Sequence, residues 1–226
     1  MTALRTATAS DVPAVAQVLT DYGLPLLAGH VVRSPAQAAE YADGLRGPVA
    51  LRALNPDLGE EPEAGAARLW LPDGDAAWQA YEGMAARLGA EMGGAAVARP
   101  MATDGTELVI GVTQDRLFGP VIMFGFGGSI GDLLDDRAYR LLPLTDLDAA
   151  RLIASLRCSP LLFGYRDRPR ADAAALADVL LRVAALAEDV PQVAELQLNP
   201  VVVSPTGAMV YAARMRIAPP EPQPSV

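Results

Sequence analysis

The sequence predicts an α+β fold of two lobes, and two observations lead to this prediction. Over residues 10–98, stretches of helical and strand character alternate within an ordinary domain length. Over residues 107–144, two short apolar runs, Val109–Val112 and Val121–Phe124, are separated by a turn and followed by the glycine-rich segment Gly125–Gly128. Short runs rich in β-branched residues and bounded by turn residues are typical of neighbouring buried strands.

These patterns also suggest where the lobes begin and end. We predict a first lobe at residues 10–98 and a second at residues 99–217. A loose tail is expected at residues 1–9. A disordered tail is expected at residues 218–226, which are rich in proline.

The first lobe is predicted from local helix and strand signals. A capping residue followed by proline predicts helix starts at Ser10 and Ser34. The predicted helices cover residues 10–22, 34–47 and 72–88, and the predicted extended segments cover residues 24–27, 30–32, 48–53, 68–71 and 95–98. On the third helix, Trp78, Tyr81, Ala85 and Leu88 share one face, so we expect Trp78, and with it Trp70, in the core of this lobe.

The second lobe is predicted to close with helices and strands after the glycine-rich segment. Thr145 and Asp148 have the spacing of a helix cap, which predicts a helix to Leu156. A loop is predicted at residues 161–170 and a long helix at residues 173–187. Three closing strands are predicted at residues 193–198, 201–203 and 208–214.

Composition excludes several classes of protein. The net charge of −9 argues against broad nucleic-acid binding. No apolar run reaches about 18 residues, so no membrane span is expected. The start lacks the layout of a secretory signal, and the single cysteine, Cys158, suits a reducing compartment, so a cytoplasmic location is expected.

The basic residues restrict the chemistry further. All 18 are arginine, so a lysine Schiff base or lysine phosphate clamp is excluded. His30 is the only histidine, which excludes a site with several histidine ligands.

The segment Gly125–Gly128 is by itself a weak signal. Glycines after a strand permit positive φ and expose backbone N–H groups that suit an anion. No Gly-Lys-Ser/Thr follows, and the spacing is not that of a dinucleotide fold. Without other signals, a tight turn is the simpler interpretation.

Longer segments are more specific. Four segments of the second lobe resemble the ATP-grasp subunit of the ADP-forming acyl-CoA synthetases: ELVIGVTQDRLFGPVIMFGFGG, YRLLPL, LLFGYR and AELQLNPVVV. Residues 18–53 resemble the first lobe of that subunit more loosely. The resemblance implies an ATP-grasp fold with ATP or ADP and magnesium in a cleft between two lobes. It also implies phosphoryl transfer involving a histidine of a CoA-binding α subunit.

The resemblance assigns roles residue by residue. Glu107 matches an acidic residue on the nucleotide side, Gly127 and Gly128 match a glycine pair, and Asp132 stands where a glutamate is usual. Arg140 matches the arginine before L-x-P-L, and Arg52 replaces a nucleotide-side lysine. Asn199 matches an asparagine that coordinates magnesium.

Other positions depart from the family pattern. A histidine-lysine pair falls on an acidic stretch, residues 60–66, where acids should repel a triphosphate. An acid two residues before Asn199 is replaced by Gln197, and a second acid is replaced by Ala212. Magnesium normally binds one or two carboxylates, so this motif offers only neutral oxygens.

Three functional hypotheses follow. The first is an ATP-grasp pseudoenzyme that binds a partner, either a synthetase-like or an acetyltransferase-like chain. The second is a working β subunit completed by a CoA-binding α subunit, which would need Glu107, Asp132, Glu195 or an acid of residues 60–63 to hold the metal. The third is a two-lobe protein that binds another small acid, an acyl-CoA or nothing.

Overall fold

The fold is α+β, as predicted, and it divides into two units. The computed structural model describes residues 6–8, 13–55, 65–102 and 104–219. The smaller unit is Leu27–Thr103, and the larger unit combines Met1–Leu26 with Asp104–Val226. The boundaries therefore differ from the predicted division into residues 10–98 and 99–217.

The smaller unit packs two helices on one face of an antiparallel sheet. Its elements are β2 (His30–Val32), α2 (Pro35–Asp43), β3 (Val49–Ala53), β4 (Ala67–Leu71), α3 (Gly74–Leu88) and β5 (Ala96–Pro100). Among the described residues the strand order is β2-β5-β3-β4. Ser34 and Asp73 cap the two helices by accepting from the N–H groups of Gln37 and Ala76. Helix α2 ends at Asp43 and is followed by the capping residue Gly44, so it ends earlier than predicted.

Both tryptophans of the smaller unit lie outside its core, so the prediction that they are buried is wrong. Trp78 is 41% exposed and Trp70 is 54% exposed. Helix α3 instead buries Ala77, Tyr81 and Met84 against the sheet and α2. Trp70 lies where the register of edge strand β4 is irregular, and its φ of 58° interrupts the strand alternation that would direct it inward.

The larger unit packs its helices on a second antiparallel sheet. Its elements are β1 (Thr6–Thr8), α1 (Pro13–Asp21), β6 (Thr106–Asp115), β7 (Gly119–Phe126), α4 (Gly128–Leu134), β8 (Arg137–Leu141), α5 (Asp146–Ser155), α6 (Ala173–Asp189), β9 (Val193–Ser204), β10 (Gly207–Val210) and β11 (Ala213–Ile217). Over the described residues the order is β1-β11-β9-β6-β7-β8, and β10 pairs with β9.

The N-terminal segment belongs to the larger unit, contrary to the prediction. Strand β1 pairs with β11, so residues 6–8 are not a loose tail. Val15 and Leu19 of α1, with Leu24, are buried in the core formed by α5, α6 and the sheet. The apolar side chains of α1 are thus removed from water by the second half of the chain.

Two further corrections concern the same sheet. The predicted strands 193–198 and 201–203 form one strand, β9, which continues through a register shift near Asn199. Helix α4 and strand β8 were not predicted. The sequence between the glycines and Pro143 is one short charged segment, and nothing in it marks a boundary between two elements. The predicted helix start at Ser10 and most of the tail at residues 218–226 lie outside the described residues.

Helix α5 begins with the predicted cap. Thr145 Oγ1 accepts from the Asp148 N–H at 3.2 Å, and the Asp148 carboxylate accepts from the Thr145 N–H at 3.1 Å. We expect Thr145→Ala to lower the free energy of unfolding by about 1 kcal/mol, because the Asp148 N–H loses its acceptor. Urea unfolding measures the change, and Thr145→Ser, which keeps the hydroxyl, is the control that should stay near wild type. An equal loss in both variants would contradict this account.

No helix in the described part of the chain is both long enough and apolar enough to cross a membrane.

Candidate functional site

The sheet of the larger unit has two unlike faces. Leu108, Ile110 and Leu198 belong to the core beneath α5 and α6. Because side chains alternate along a strand, Glu107, Gly111 and the residues level with them project from the opposite face, here called the open face. The open face also carries Met123, Tyr139, Gln197 and Arg214.

The structure brings Glu107 and the glycine pair together, and the roles in binding nucleotide that the resemblance implies for them remain predictions. The Gly127 N–H donates to the Glu107 carbonyl at 2.9 Å. Gly128 has φ of 54°, and a Cβ placed there would collide with the Glu107 carboxylate oxygen Oε2. The positive φ favours glycine at this position, and the Glu107 side chain would have to move to admit another residue. Asp132 lies in helix α4, which begins at Gly128, but its side chain is outside the described part of the structure.

Asn199 lies at a bulge in β9. Asn199 and Pro200 together oppose Val109, since Leu108 pairs with Val201 and Ile110 pairs with Leu198. The Asn199 N–H donates to the Ala212 carbonyl at 3.0 Å, and the Asn199 side chain is exposed. The bulge therefore directs an amide group outward beside the residue that replaces an acid of the family pattern.

The donors around Asn199 do not fit a magnesium ion. Gln197, two residues away, supplies a neutral amide, and Ala212 supplies only a carbonyl that already accepts from Asn199. Glu195, the nearest acid along β9, is paired with Arg216 at 3.3 Å. Across the described residues, no group of three or more acidic, histidine or cysteine side chains could hold a metal. Magnesium in proteins normally takes one or two carboxylates, and the described motif has none.

The two predicted arginines belong to different units of the fold. Arg140 is opposite Ile122, so it lies in the helix-covered row of the larger unit. The pKa of Asp148 on α5 is lowered first by hydrogen bonds from Thr145, and to a smaller extent by the charges of Arg151 and Arg140. The larger unit therefore does not place Arg140 on the open face with Gln197. Arg52 lies in β3 of the smaller unit, half-buried and opposite Val97. Their roles as nucleotide ligands remain predictions, and the predicted repulsive acids at residues 60–63 lie outside the described residues.

The sequence analysis missed Asp136, a carboxylate that is 5% exposed at the start of β8. It accepts from the backbone N–H groups of Cys158 at 2.7 Å and Arg157 at 3.0 Å. Burial alone would raise the pKa of Asp136, but these hydrogen bonds and the Arg157 charge outweigh burial and lower it. The half-buried thiol of Cys158 has a raised pKa, because burial and Asp136 both disfavour the thiolate.

The lowered pKa of Asp136 predicts a pH dependence of stability. A carboxylate whose pKa is lower when folded stabilises the fold above its unfolded pKa of about 3.9, and this contribution disappears as pH falls through the folded pKa. Asp136→Asn should therefore lower the free energy of unfolding at neutral pH by about 1–3 kcal/mol, and the difference from wild type should shrink as pH falls below the unfolded pKa. Urea unfolding across this range measures the difference. A gap that does not change with pH would contradict the assignment.

Comparison with known proteins identifies the family. A family described as ATP-grasp domain matches residues 3–217. The chain belongs to the ATP-grasp domain family. It is 34% identical over 207 residues to the acetate–CoA ligase [ADP-forming] II subunit beta of Pyrococcus furiosus, covering 88% of this chain and 87% of that subunit. The acetate–CoA ligase [ADP-forming] I subunit beta of the same organism is 28% identical, covering 90% and 89%.

A solved structure shares the ATP-grasp fold of this chain. The dinucleotide-forming acetyl-coenzyme A synthetase 1 of Ca. Korarchaeum cryptofilum, in complex with coenzyme A, Ca-AMPCP and HgCl+, superposes with a TM-score of 0.79. It is 28% identical, and the match covers 90% of each chain. This ATP-grasp chain therefore resembles the nucleotide-side subunit of ADP-forming acyl-CoA synthetases.

Proposed function

We propose that this ATP-grasp protein binds a partner chain and has impaired or lost magnesium-dependent phosphoryl transfer. The observation that carries the proposal is the donor set around Asn199. Gln197 and Ala212 supply neutral oxygens where the family pattern has acids. A divalent cation that balances the charge of the phosphates is central to phosphoryl transfer. Losing both carboxylates is therefore expected to lower the rate by several orders of magnitude.

The partner is proposed from the relatives. Two similar proteins are each called subunit beta of an acetate–CoA ligase. We propose that this chain likewise works beside a second subunit that carries CoA, or beside an acetyltransferase-like chain with a similar surface. In this role the ATP-grasp protein would act as a scaffold or as a sensor of nucleotide.

An active β subunit is the second candidate. The contact between Glu107 and the glycine pair supports it, because it brings together residues that the resemblance assigns to the nucleotide side. The overall similarity to ADP-forming ligase subunits also favours it. In this case, Glu107 or an acid outside the described residues would bind the cation.

A reconstituted assay separates the two candidates. The chain is mixed with a CoA-binding α subunit from an ADP-forming acetate–CoA ligase, with acetate, CoA, ATP and magnesium, and ADP release is measured. Co-purification of the two chains shows independently whether they associate. The proposal predicts association without ADP release above the rate of the α subunit alone. ADP release at the rate of an authentic β subunit would establish the second candidate.

A further inference from the structure

The segment that carries the glycine pair is held at both ends. Helix α4 leaves β7 after Phe126 and returns to β8 at Asp136, and the Phe126 N–H donates to the Asp136 carbonyl at 3.3 Å. At the first end, the Gly127 N–H donates to the Glu107 carbonyl at 2.9 Å. The position of Gly128 against Glu107 therefore depends on how residues 127–135 are anchored.

A single arginine fixes the far end of this segment. Arg157 Nη2 donates to the carbonyl of Leu134, the last residue of α4, at 2.7 Å. Its Nε lies 3.6 Å from Asp136 Oδ1. The Arg157 guanidinium therefore links an end carbonyl of α4, which has no partner within the helix, to a buried carboxylate.

Asp136 holds the arginine in turn. Its carboxylate accepts from the N–H groups of Arg157 and Cys158, in the loop that follows α5. Of the buried polar side chains among the described residues, Thr106, Asp136 and Ser159, only Asp136 carries a charge. Burying a carboxylate costs free energy unless hydrogen bonds compensate it. The bonds that compensate Asp136 come from the loop after α5, and through Arg157 they connect that loop to the end of α4.

We infer that Asp136 and Arg157 are positioning residues for the glycine pair. They form a clasp, defined as these two side chains with their contacts to Leu134 and Cys158, which sets the position of α4 and so the contact between Gly128 and Glu107. The expected effect of the clasp on nucleotide binding rests on the proposed function of the glycine pair, whereas its effect on the position of α4 is independent of that function.

Amide hydrogen exchange tests the clasp without relying on activity. In Asp136→Asn, one carboxylate oxygen becomes an NH2 group, which cannot accept a hydrogen bond. One of the two backbone N–H groups, of Arg157 or Cys158, therefore loses its acceptor. The exchange rate of residues 127–134 should rise about tenfold more than that of β6 and β9, the change expected from losing one strong hydrogen bond. Arg157→Gln should produce the same local pattern, and it serves as the second variant if Asp136→Asn does not fold.

Three control variants separate positioning from general instability. Asp167→Asn and Arg151→Gln remove exposed charges elsewhere in the same unit and should leave exchange at residues 127–134 unchanged. Val179→Ala removes buried volume from α6 and should lower the melting temperature without the local change in exchange. If exchange at residues 127–134 in both clasp variants matches these controls, the clasp does not position α4.

Calorimetry with ATP then tests the link to nucleotide. Where wild type binds ATP, the clasp variants should bind it about tenfold more weakly, whereas Val179→Ala should keep wild-type affinity. Unchanged affinity in the clasp variants would overturn the link to nucleotide. If wild type binds no ATP, nucleotide binding at the glycine pair is wrong, and the exchange result alone decides whether the clasp holds α4.

Discussion

Restoring two acids beside Asn199 should create magnesium-dependent ATP binding. In Gln197→Glu with Ala212→Asp, two carboxylates would lie beside the exposed Asn199 amide. The Ala212 carbonyl accepts a hydrogen bond from the Asn199 N–H, and Gln197 is two residues before Asn199 on β9. Two carboxylates and an amide match the oxygen ligands that magnesium prefers. We expect ATP to bind at least about tenfold more tightly with magnesium than without it, a modest change for a cation placed among charges near a protein surface.

The control for this gain is a variant of similar shape without charge. Ala212→Asn alone, which keeps the native Gln197, matches the shape of both acidic side chains but adds no carboxylate. Calorimetry with ATP, with and without magnesium, should show no effect of the metal on this variant. An equal gain in both variants would mean that charge at these positions does not determine metal binding.

Gly131→Ala should destabilise the larger unit, although alanine is normally the better helix former. A Cβ at Gly131 would collide with the backbone carbonyl of Phe126, at the end of β7. Backbone cannot move aside as a flexible side chain can, so helix α4 must shift. Such overpacking typically costs about 1–3 kcal/mol, which we expect as a loss in the free energy of unfolding.

A second helical glycine provides the matched control. Gly83 lies in α3, and a Cβ there meets nothing within 4 Å. Gly83→Ala should stabilise the protein by about 0.5–1 kcal/mol, because glycine costs conformational entropy in a helix. Urea unfolding measures both variants. The same sign of change in both would contradict the packing assigned to α4.

The sequence predicted most elements because their signals are local. The Thr145–Asp148 cap, the apolar runs of β6 and β7 and the fold class did not depend on distant residues. The pairing of β6 with β7 was also predicted from the turn between their apolar runs, whereas the contact that it allows between Glu107 and Gly128 was not. Such features are encoded within a few residues, so one sequence is enough to find them.

The remaining features arise from contacts between distant segments. Strand β1 is short and polar, and only its pairing with β11 makes it a strand. Asp136 resembles any acid of a charged segment until the fold places the Cys158 N–H against it. Trp78 has core-like spacing on α3, but the buried face of the helix is formed by Ala77, Tyr81 and Met84 instead. The spacing of apolar residues shows which of them share a helix face, but it does not show which face packs against the rest of the fold.

The most direct test of the account is the magnesium dependence of ATP binding by the unaltered chain. Isothermal titration of the wild-type protein with ATP, in magnesium and in excess chelator, measures it. The neutral donor set around Gln197, Asn199 and Ala212 predicts the same affinity, or no binding, in both conditions. Micromolar binding that requires magnesium would contradict the account and show that other acids of the chain hold the cation.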